Sequence, residues 1–201
     1  MKSKSSLVKK IVAGKFKGKT LKLPSMVTTR SSKSIVLESF FNTLQFEIVD
    51  ANFVEVFSGS GSIGLEALSR GAKQIFFMEK DRAALATLKE NIRQTDPRYC
   101  EVFAGDSFVN IGSVVARLKK LGEDAYIYVD PPFSIREGME DIYDKTIMLL
   151  KSLPSSVVKM IIVEHMSGLK LPQKLGAFTQ IKSKKFGNTT LTYYRDTDME
   201  Y

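Results

Sequence analysis

The sequence has little of what disulfides, metal sites and membrane spans require. Its single cysteine, Cys100, excludes an internal disulfide and lies at no metal-ligand spacing. No apolar run approaches the roughly 20 residues of a transmembrane helix, and the first residues do not predict a secretory signal. With 43% hydrophobic residues, the chain can still bury a core. We therefore expect a cytoplasmic protein that holds no metal.

Negative charge is absent from the first 33 residues, which contain ten of the 30 lysines and arginines. The first carboxylate is Glu38, and the residues after position 33 are close to neutral, with 20 basic and 22 acidic side chains. Such a positive segment is typical of an arm that binds a polyanion. Apolar residues spaced through it, including Ile11 and Phe16, argue against a disordered tail.

The segment IVAGKFKGKTLKL, residues 11–23, indicates short strands interrupted by Gly14 and Gly18. We therefore predict a basic N-terminal β-hairpin arm over residues 1–33. Its candidate nucleic-acid contacts are Lys9, Lys10, Lys15, Lys17, Lys19, Arg30 and Lys33.

Residues 34–201 are predicted to form one α/β domain. Nearly continuous apolar runs such as NFVEVF, KQIFFME and AYIYVD are each followed by a helical pattern, which predicts a parallel sheet covered on both faces. Residues 178–195 indicate two strands joined through Phe186, Gly187 and Asn188, so an antiparallel hairpin is expected to complete the sheet. Ligands of such folds bind outside the carboxyl ends of the strands.

The segment FSGSGSIG follows the first strand of this domain and precedes a helix. Its G-x-G-x-x-G pattern allows a ligand to approach the backbone, and Glu79 is placed to bind ribose hydroxyls. A dinucleotide and an adenosine-bearing methyl donor both fit this pattern. Glu55 would repel a pyrophosphate but would pair with a methionine ammonium, and Asp106 is placed to accept from an adenine amino group. The sole histidine, His165, has no obvious partner for hydride transfer, so the methyl donor is favoured.

The segment YIYVDPPF ends a strand in an acid, two prolines and an aromatic residue. An exocyclic amine of a nucleobase is a poor nucleophile because its lone pair is delocalised. A carboxylate at Asp130 and the Pro131 carbonyl would accept its two hydrogens and favour a pyramidal nitrogen. Pro131 and Pro132 fix the backbone beforehand, and Phe133 offers a ring on which a flipped-out base can stack.

These motifs together resemble the class I methyltransferases that use S-adenosylmethionine, and within them the RsmD family of small-subunit ribosomal RNA guanine-N2 methyltransferases. The resemblance extends over the blocks IVAGKFKGKTLKLP, ESFFNTL, EVFSGSGSIGLEALSRGA, FFMEKDRAALATLKENI, YVDPPF and KKFGNTTLTYYR. It implies a Rossmann-like fold with a mostly parallel seven-stranded sheet. The family's R-P-T motif is replaced here by TTRSSKSIVLESFFN, in which Ile35 and Leu37 stand where basic residues are common.

By position, the resemblance implies a set of functional residues. The catalytic loop would be Asp130, Pro131, Pro132 and Phe133. The donor site would comprise Glu55, Phe57, Ser58, Gly59, Ser60, Gly61, Glu79, Lys80, Asp106 and Ser107.

The expected activity is methyl transfer from S-adenosylmethionine to a guanine N2 of small-subunit ribosomal RNA, by a monomer. Because DPPF also occurs in adenine-N6 and glutamine-N5 enzymes, a DNA or RNA adenine or a protein glutamine remains an alternative acceptor. Two other classes are a nucleic-acid-binding protein without catalysis and a dinucleotide oxidoreductase.

Overall fold

The computed structural model describes residues 7–24, 33–132 and 141–198. Within these ranges, no helix is long and apolar enough to cross a membrane.

A two-stranded antiparallel hairpin begins the described chain. Strand β1 (Val8–Lys10) pairs with β2 (Thr20–Lys22), so that Val8 lies opposite Lys22. The predicted hairpin is confirmed, but its first strand precedes residue 11. The Ile11 amide bonds to the Lys19 carbonyl across the hairpin, whereas the Val12 and Phe16 amides bond to side chains of the main domain. Ile11 and Phe16 are buried.

The described residues of the main domain contain a sheet of eight strands. Five are parallel: β3 (Asn52–Val56), β4 (Gln74–Glu79), β5 (Cys100–Ala104), β6 (Ala125–Val129) and β7 (Val158–Met166). Three are antiparallel: β8 (Lys174–Leu175), β9 (Phe178–Phe186) and β10 (Thr189–Asp196). The order across the sheet is β5-β4-β3-β6-β7-β10-β9-β8. The expected seven strands were one too few, because the two-residue β8 has no sequence pattern of its own.

Five α-helices lie in the described ranges and cover both faces of the sheet. They are α1 (Lys33–Thr43), α2 (Ser62–Ser69), α3 (Arg82–Arg93), α4 (Ser107–Leu121) and α5 (Ile142–Lys151). One apolar core joins α1, α2, α3 and the hairpin to one face of the sheet. A second core joins α4 and α5 to the other face. The α/β fold with a mostly parallel sheet and a C-terminal antiparallel hairpin is confirmed.

The chain order reverses between β3 and β6, which are neighbours in the sheet although β4 and β5 intervene in sequence. In open α/β sheets, ligands bind at such a switch point, beyond the carboxyl ends of the strands. Val56 lies beside Val129 in the register, so the residues that follow each strand, Phe57 and Asp130, emerge at the same level. The fold therefore brings the glycine loop and the DPP segment to neighbouring strand ends.

Candidate active site

One cavity of about 260 Å³ lies at this switch point. Its lining includes the predicted residues Glu55, Phe57, Ser58, Gly59, Ser60 and Asp130. Helix α1 contributes Val36 and Leu37 to the opposite side, and the hairpin contributes Val8, Lys9 and Leu23. The glycine loop and the catalytic carboxylate expected from the sequence thus share one crevice.

The first two glycines of the loop have different environments. Gly59 has a φ of 55°, and among the described residues no heavy atom lies within 4 Å of the position that a Cβ would take. A ligand can therefore approach its backbone. At Gly61, a Cβ would lie 2.3 Å from Leu88 Cδ1 and 3.2 Å from Phe77 Cε1. Gly61 is consequently needed for the packing of the loop against α3 and β4.

Glu79 shapes the loop from the end of β4. Its Oε2 accepts a hydrogen bond of 2.7 Å from the Gly59 amide, and its Oε1 accepts one of 2.7 Å from the Asp81 amide. The side chain is buried, but a carboxylate has about four lone-pair sites, so two acceptor positions remain for hydroxyl groups. Glu79 can therefore both hold Gly59 and bind a ribose.

Ser58 and Ser60 are fixed by the protein itself. The Ser58 hydroxyl donates to the Glu55 carbonyl at 2.7 Å and accepts from the Met78 amide at 2.9 Å, which ties the loop to β3 and β4. The Ser60 carbonyl accepts a 2.9 Å bond from Asn91 Nδ2 on α3. The loop is therefore held in place by its own side chains and by its neighbours.

Glu55 lies two residues deeper in the sheet than Glu79 and Asp130 and caps helix α2. Its Oε2 accepts a 2.8 Å bond from the Gly64 amide. The pKa of Glu55 is raised to about 8, mainly by burial and in small part by the Asp130 carboxylate. The bond from Gly64 and the Lys9 ammonium act in the opposite direction. Glu55 thus occupies part of the N-terminus of α2.

The DPP segment follows β6. Asp130 is half-buried at the cavity, Pro131 is buried and Pro132 is half-buried. The expected stacking residue, Phe133, lies outside the described residues.

The predicted adenine contact Asp106 lies beside a second, more open cavity of about 510 Å³. Lys80 and Asp106 line it together with Phe108 and Lys145. Asp106 also caps α4 by accepting a 3.0 Å bond from the Phe108 amide. The ring of Phe108 lies 5.6 Å from that of Phe57, which lines the first cavity. Three predicted donor-site residues, Gly61, Glu79 and Ser107, line neither cavity, and neither do Pro131 and Pro132 of the predicted catalytic loop.

A family model described as conserved hypothetical protein 95 matches residues 9–195, which include all of the cavity lining except Val8 and all of the sheet except Asp196. The chain belongs to this family, the RsmD family of methyltransferases. The resemblance drawn from the sequence motifs is confirmed.

Two relatives show how far the RsmD likeness extends. YlbH of Bacillus subtilis (strain 168), which carries the provisional name of an rRNA methyltransferase, is 26% identical over 191 residues, or 92% of this chain and 98% of its own. Ribosomal RNA small subunit methyltransferase D of Escherichia coli (strain K12) is 35% identical over 143 residues, or 71% of this chain and 66% of its own.

Solved structures agree with this assignment. The protein yhhF from Escherichia coli, provisionally named a methyltransferase, superposes with a TM-score of 0.75 at 29% identity, covering 94% of this chain and 98% of its own. Magnesium protoporphyrin IX methyltransferase from Synechocystis PCC 6803, solved with bound SAM, has a TM-score of 0.58 at 10% identity and covers 83% of this chain and 80% of its own. The latter likeness shows the fold alone.

The predicted nucleic-acid contacts of this RsmD-family chain have different positions. Lys10, Lys15, Lys17 and Lys19 are exposed on the hairpin. Lys9 instead lines the cavity, where its Nζ lies 3.4 Å from Ser62 Oγ. Of the other predicted contacts, Arg30 lies outside the described residues and Lys33 begins α1.

Two buried polar residues that the sequence analysis did not single out attach the hairpin. Glu66 on α2 accepts bonds of 2.8 and 3.1 Å from the Val12 and Ala13 amides, and it also accepts from Arg70 Nε at 2.8 Å. Asn91 on α3 bonds to both backbone groups of Lys22 and to the Ser60 carbonyl. Asn91 thus joins the hairpin to the glycine loop.

Two more overlooked residues lie in the cavity itself. Tyr128 of β6 and Glu164 of β7 line it, and the Tyr128 hydroxyl donates to Glu164 Oε2. By contrast, His165 faces away from this pair: its Nε2 bonds to Thr192 Oγ1 at 2.8 Å, and burial lowers its pKa. In the sequence, the only signal for Glu164 is an acid near the end of an apolar strand.

Proposed function

We propose that this protein transfers a methyl group from S-adenosylmethionine to the exocyclic N2 of a guanine in small-subunit ribosomal RNA. The observation that carries this proposal is the shared cavity, in which Asp130 and the glycine loop lie at neighbouring strand ends. The names of the relatives support ribosomal RNA as the acceptor, and membership of the RsmD family supports methyl transfer.

S-adenosylmethionine is the cofactor, and the residues present fit it. The open backbone at Gly59 admits a ligand, the remaining acceptor sites of Glu79 suit ribose hydroxyls, and Asp106 with Lys80 lines a neighbouring space for an adenine. Glu55 would lose its proton when a methionine ammonium lies beside it, and the two would then form an ion pair. The cofactor would supply a methyl carbon on a positively charged sulfur.

Asp130 would prepare the acceptor amine. Its carboxylate and the Pro131 carbonyl would accept the two amine hydrogens, and the proton would leave after the methyl group has been transferred. The two prolines restrict the backbone, so these acceptors need little reorganisation during the reaction. Phe133 would stack on the flipped-out base.

The hairpin would hold the RNA backbone. Lys10, Lys15, Lys17 and Lys19 are exposed on the same element that forms one side of the cavity, so phosphates bound there would lie beside the reacting base. Arg30 and Lys33 are further proposed RNA contacts, and Lys9 would act at the cavity. In this proposal, residues 1–33 are the RNA-binding arm and residues 34–201 the catalytic domain of a cytoplasmic enzyme.

A radiolabel experiment tests the acceptor. The protein, labelled S-adenosylmethionine and one of three acceptors (small-subunit ribosomal RNA, assembled small subunits or DNA) would be incubated, and the labelled nucleoside identified after digestion. N2-methylguanosine from RNA or subunits supports the proposal. N6-methyladenosine, or label confined to DNA or to a protein glutamine, would support the alternative DPPF-type activity.

A further inference from the structure

Glu164 is a cavity carboxylate to which the proposed function gives no role. Val163 lies beside Val129 in the register of β7 and β6, so the next residues, Glu164 and Asp130, emerge at the same level on neighbouring strands. Both belong to the sheet face that carries Tyr128 and Ile162, because side chains alternate along a strand. Neighbouring strands are about 4.8 Å apart. Glu164 therefore lies beyond Asp130 on the side away from the glycine loop.

The structure holds Glu164 in a defined orientation. Only 9% of the residue is exposed, yet it lines the cavity. Burial, and then the Glu164 charge, raise the pKa of Tyr128 well above its usual range, so the phenol keeps its proton and donates it in the bond to Glu164 Oε2. A carboxylate has further lone pairs after one such bond. Glu164 consequently faces the cavity as a hydrogen-bond acceptor.

The two purines present different edges to such an acceptor. Guanine has two adjacent donors, the N1–H group and the N2 amine. Adenine has a donor at its N6 amine, but its N1 is a lone pair that a carboxylate would repel. Enzymes that flip a base out of its stack read this Watson–Crick edge with hydrogen bonds.

We propose that Glu164 is a specificity-determining residue that accepts a hydrogen bond from guanine N1–H while the N2 amine is held at Asp130. This inference rests on the proposed methylation of guanine N2. The distance between neighbouring strands matches the arrangement, since N1 and N2 are adjacent groups on one edge of the base. An adenine with its N6 amine at Asp130 would direct its N1 lone pair at Glu164 and be rejected.

An atomic substitution in the RNA tests this assignment. After the methylated nucleotide has been mapped, its guanine is replaced by 2-aminopurine, which keeps the amine at C2 but has a lone pair at N1. Wild-type protein is expected to methylate guanine with a kcat/KM about 100-fold higher than that for 2-aminopurine, since sites built to bond a donor reject analogues that lack it.

The variant Glu164→Gln replaces a carboxylate, which only accepts hydrogen bonds, with an amide that can also donate one. Its side-chain amide can donate to the N1 lone pair, so the preference for guanine should fall by about tenfold or more. Glu164→Asp keeps a carboxylate and should retain a preference for guanine. Tyr128→Phe removes the hydrogen-bond donor to Glu164 but leaves the carboxylate, so it should also keep the preference for guanine. If Glu164 had only a structural role, none of these variants would change the preference. Titration with S-adenosylhomocysteine checks that each variant still folds and binds.

Two results would overturn the inference while leaving guanine-N2 methylation intact. One is that the wild-type protein methylates 2-aminopurine as fast as guanine, a result that can be obtained without any variant. The other is a folded Glu164→Gln protein that keeps the wild-type ratio. If wild-type protein forms no N2-methylguanosine in any RNA, the proposed function itself fails, and the inference fails with it.

Discussion

The two sides of the cavity are built in different ways. The strand-end side carries Asp130, just after β6, and Glu164, within the neighbouring parallel strand β7; the residues that precede them, Val129 and Val163, are at most 1% exposed. The hairpin side carries Lys9 between exposed residues, and Val8 is 51% exposed. Backbone ladders and two apolar cores hold the first side, whereas the second is attached by a few buried apolar residues and by side-chain bonds from α2 and α3.

In the proposed function, this difference separates the residues that take part in methyl transfer from those that bind RNA. Groups that must be placed to within a fraction of an ångström lie on the most rigid part of the fold. The lysines proposed to bind the RNA backbone lie on a peripheral element, where sequence change does not disturb the sheet. Substitutions on the strand-end side should therefore affect turnover, and substitutions on the hairpin side should affect stability or RNA affinity.

The largest effect is expected for Asp130→Ala. Loss of an acceptor aimed at the reacting amine should lower kcat by about 10²–10³-fold. The affinity for S-adenosylhomocysteine should change little, because Gly59 and Glu79 are untouched. Single-turnover methyl transfer and calorimetric titration measure the two quantities.

A matched control for this variant is Asp124→Ala, which removes an exposed carboxylate just before the same strand. It should retain wild-type turnover. Wild-type turnover in Asp130→Ala would refute the role given to that residue.

The next effect concerns the attachment of the hairpin. Glu66→Ala leaves two amides and the Arg70 guanidinium without their acceptor, and Glu66 is 1% exposed, so the free energy of unfolding should fall by about 2–4 kcal/mol. Glu90→Ala removes a carboxylate that also contacts the hairpin, through Lys22, but both partners are nearly half exposed, and its cost should stay under about 1 kcal/mol. Equal losses in urea titrations would contradict this contrast.

RNA binding should respond to charge on the hairpin. Replacing Lys15, Lys17 and Lys19 by alanine should flatten the dependence of log affinity on log salt by about one unit for each lost phosphate contact. Replacing Lys119, Lys120 and Lys151 removes the same charge from α4 and α5 and serves as the control. If both triple variants change the slope equally, only net charge matters and the hairpin is not a phosphate clamp.

The smallest effect is a pH dependence from Glu55. Its pKa rises from 4.5 to about 8 in the folded, ligand-free protein, so the folded state binds more protons than the unfolded state between those values. Stability should therefore fall as pH increases through this window, by about 1 kcal/mol between pH 7 and 8. Glu55→Gln should remove this slope in urea titrations at each pH, and an unchanged slope would assign the dependence to another group.

The sequence predicted the strand-end side well, because its signals are local. A largely apolar run of five residues, followed by glycines or by an acid and two prolines, predicts both a strand and the position at which it ends. The glycine loop, Glu55 and Asp130 were located in this way, and the structure brings them to one cavity. The hairpin was also predicted, although its strands were misplaced because the turn between them bonds to α2.

The missed residues depend on contacts between distant parts of the chain. Asn91 occupies a polar position in an amphipathic helix, and its partners Lys22 and Ser60 are 69 and 31 residues away. Glu164 receives its bond from Tyr128, 36 residues earlier. No local pattern distinguishes such residues from ordinary surface polar residues, because their burial appears only when the elements pack.

A crystal structure with S-adenosylhomocysteine and an RNA fragment containing the target guanine would test the central claim most directly. We expect the sulfur to lie by Gly59, with the guanine N2 beside Asp130 and room for one methyl carbon between them. A donor whose sulfur points away from Asp130, or a target base held outside this cavity, would contradict it.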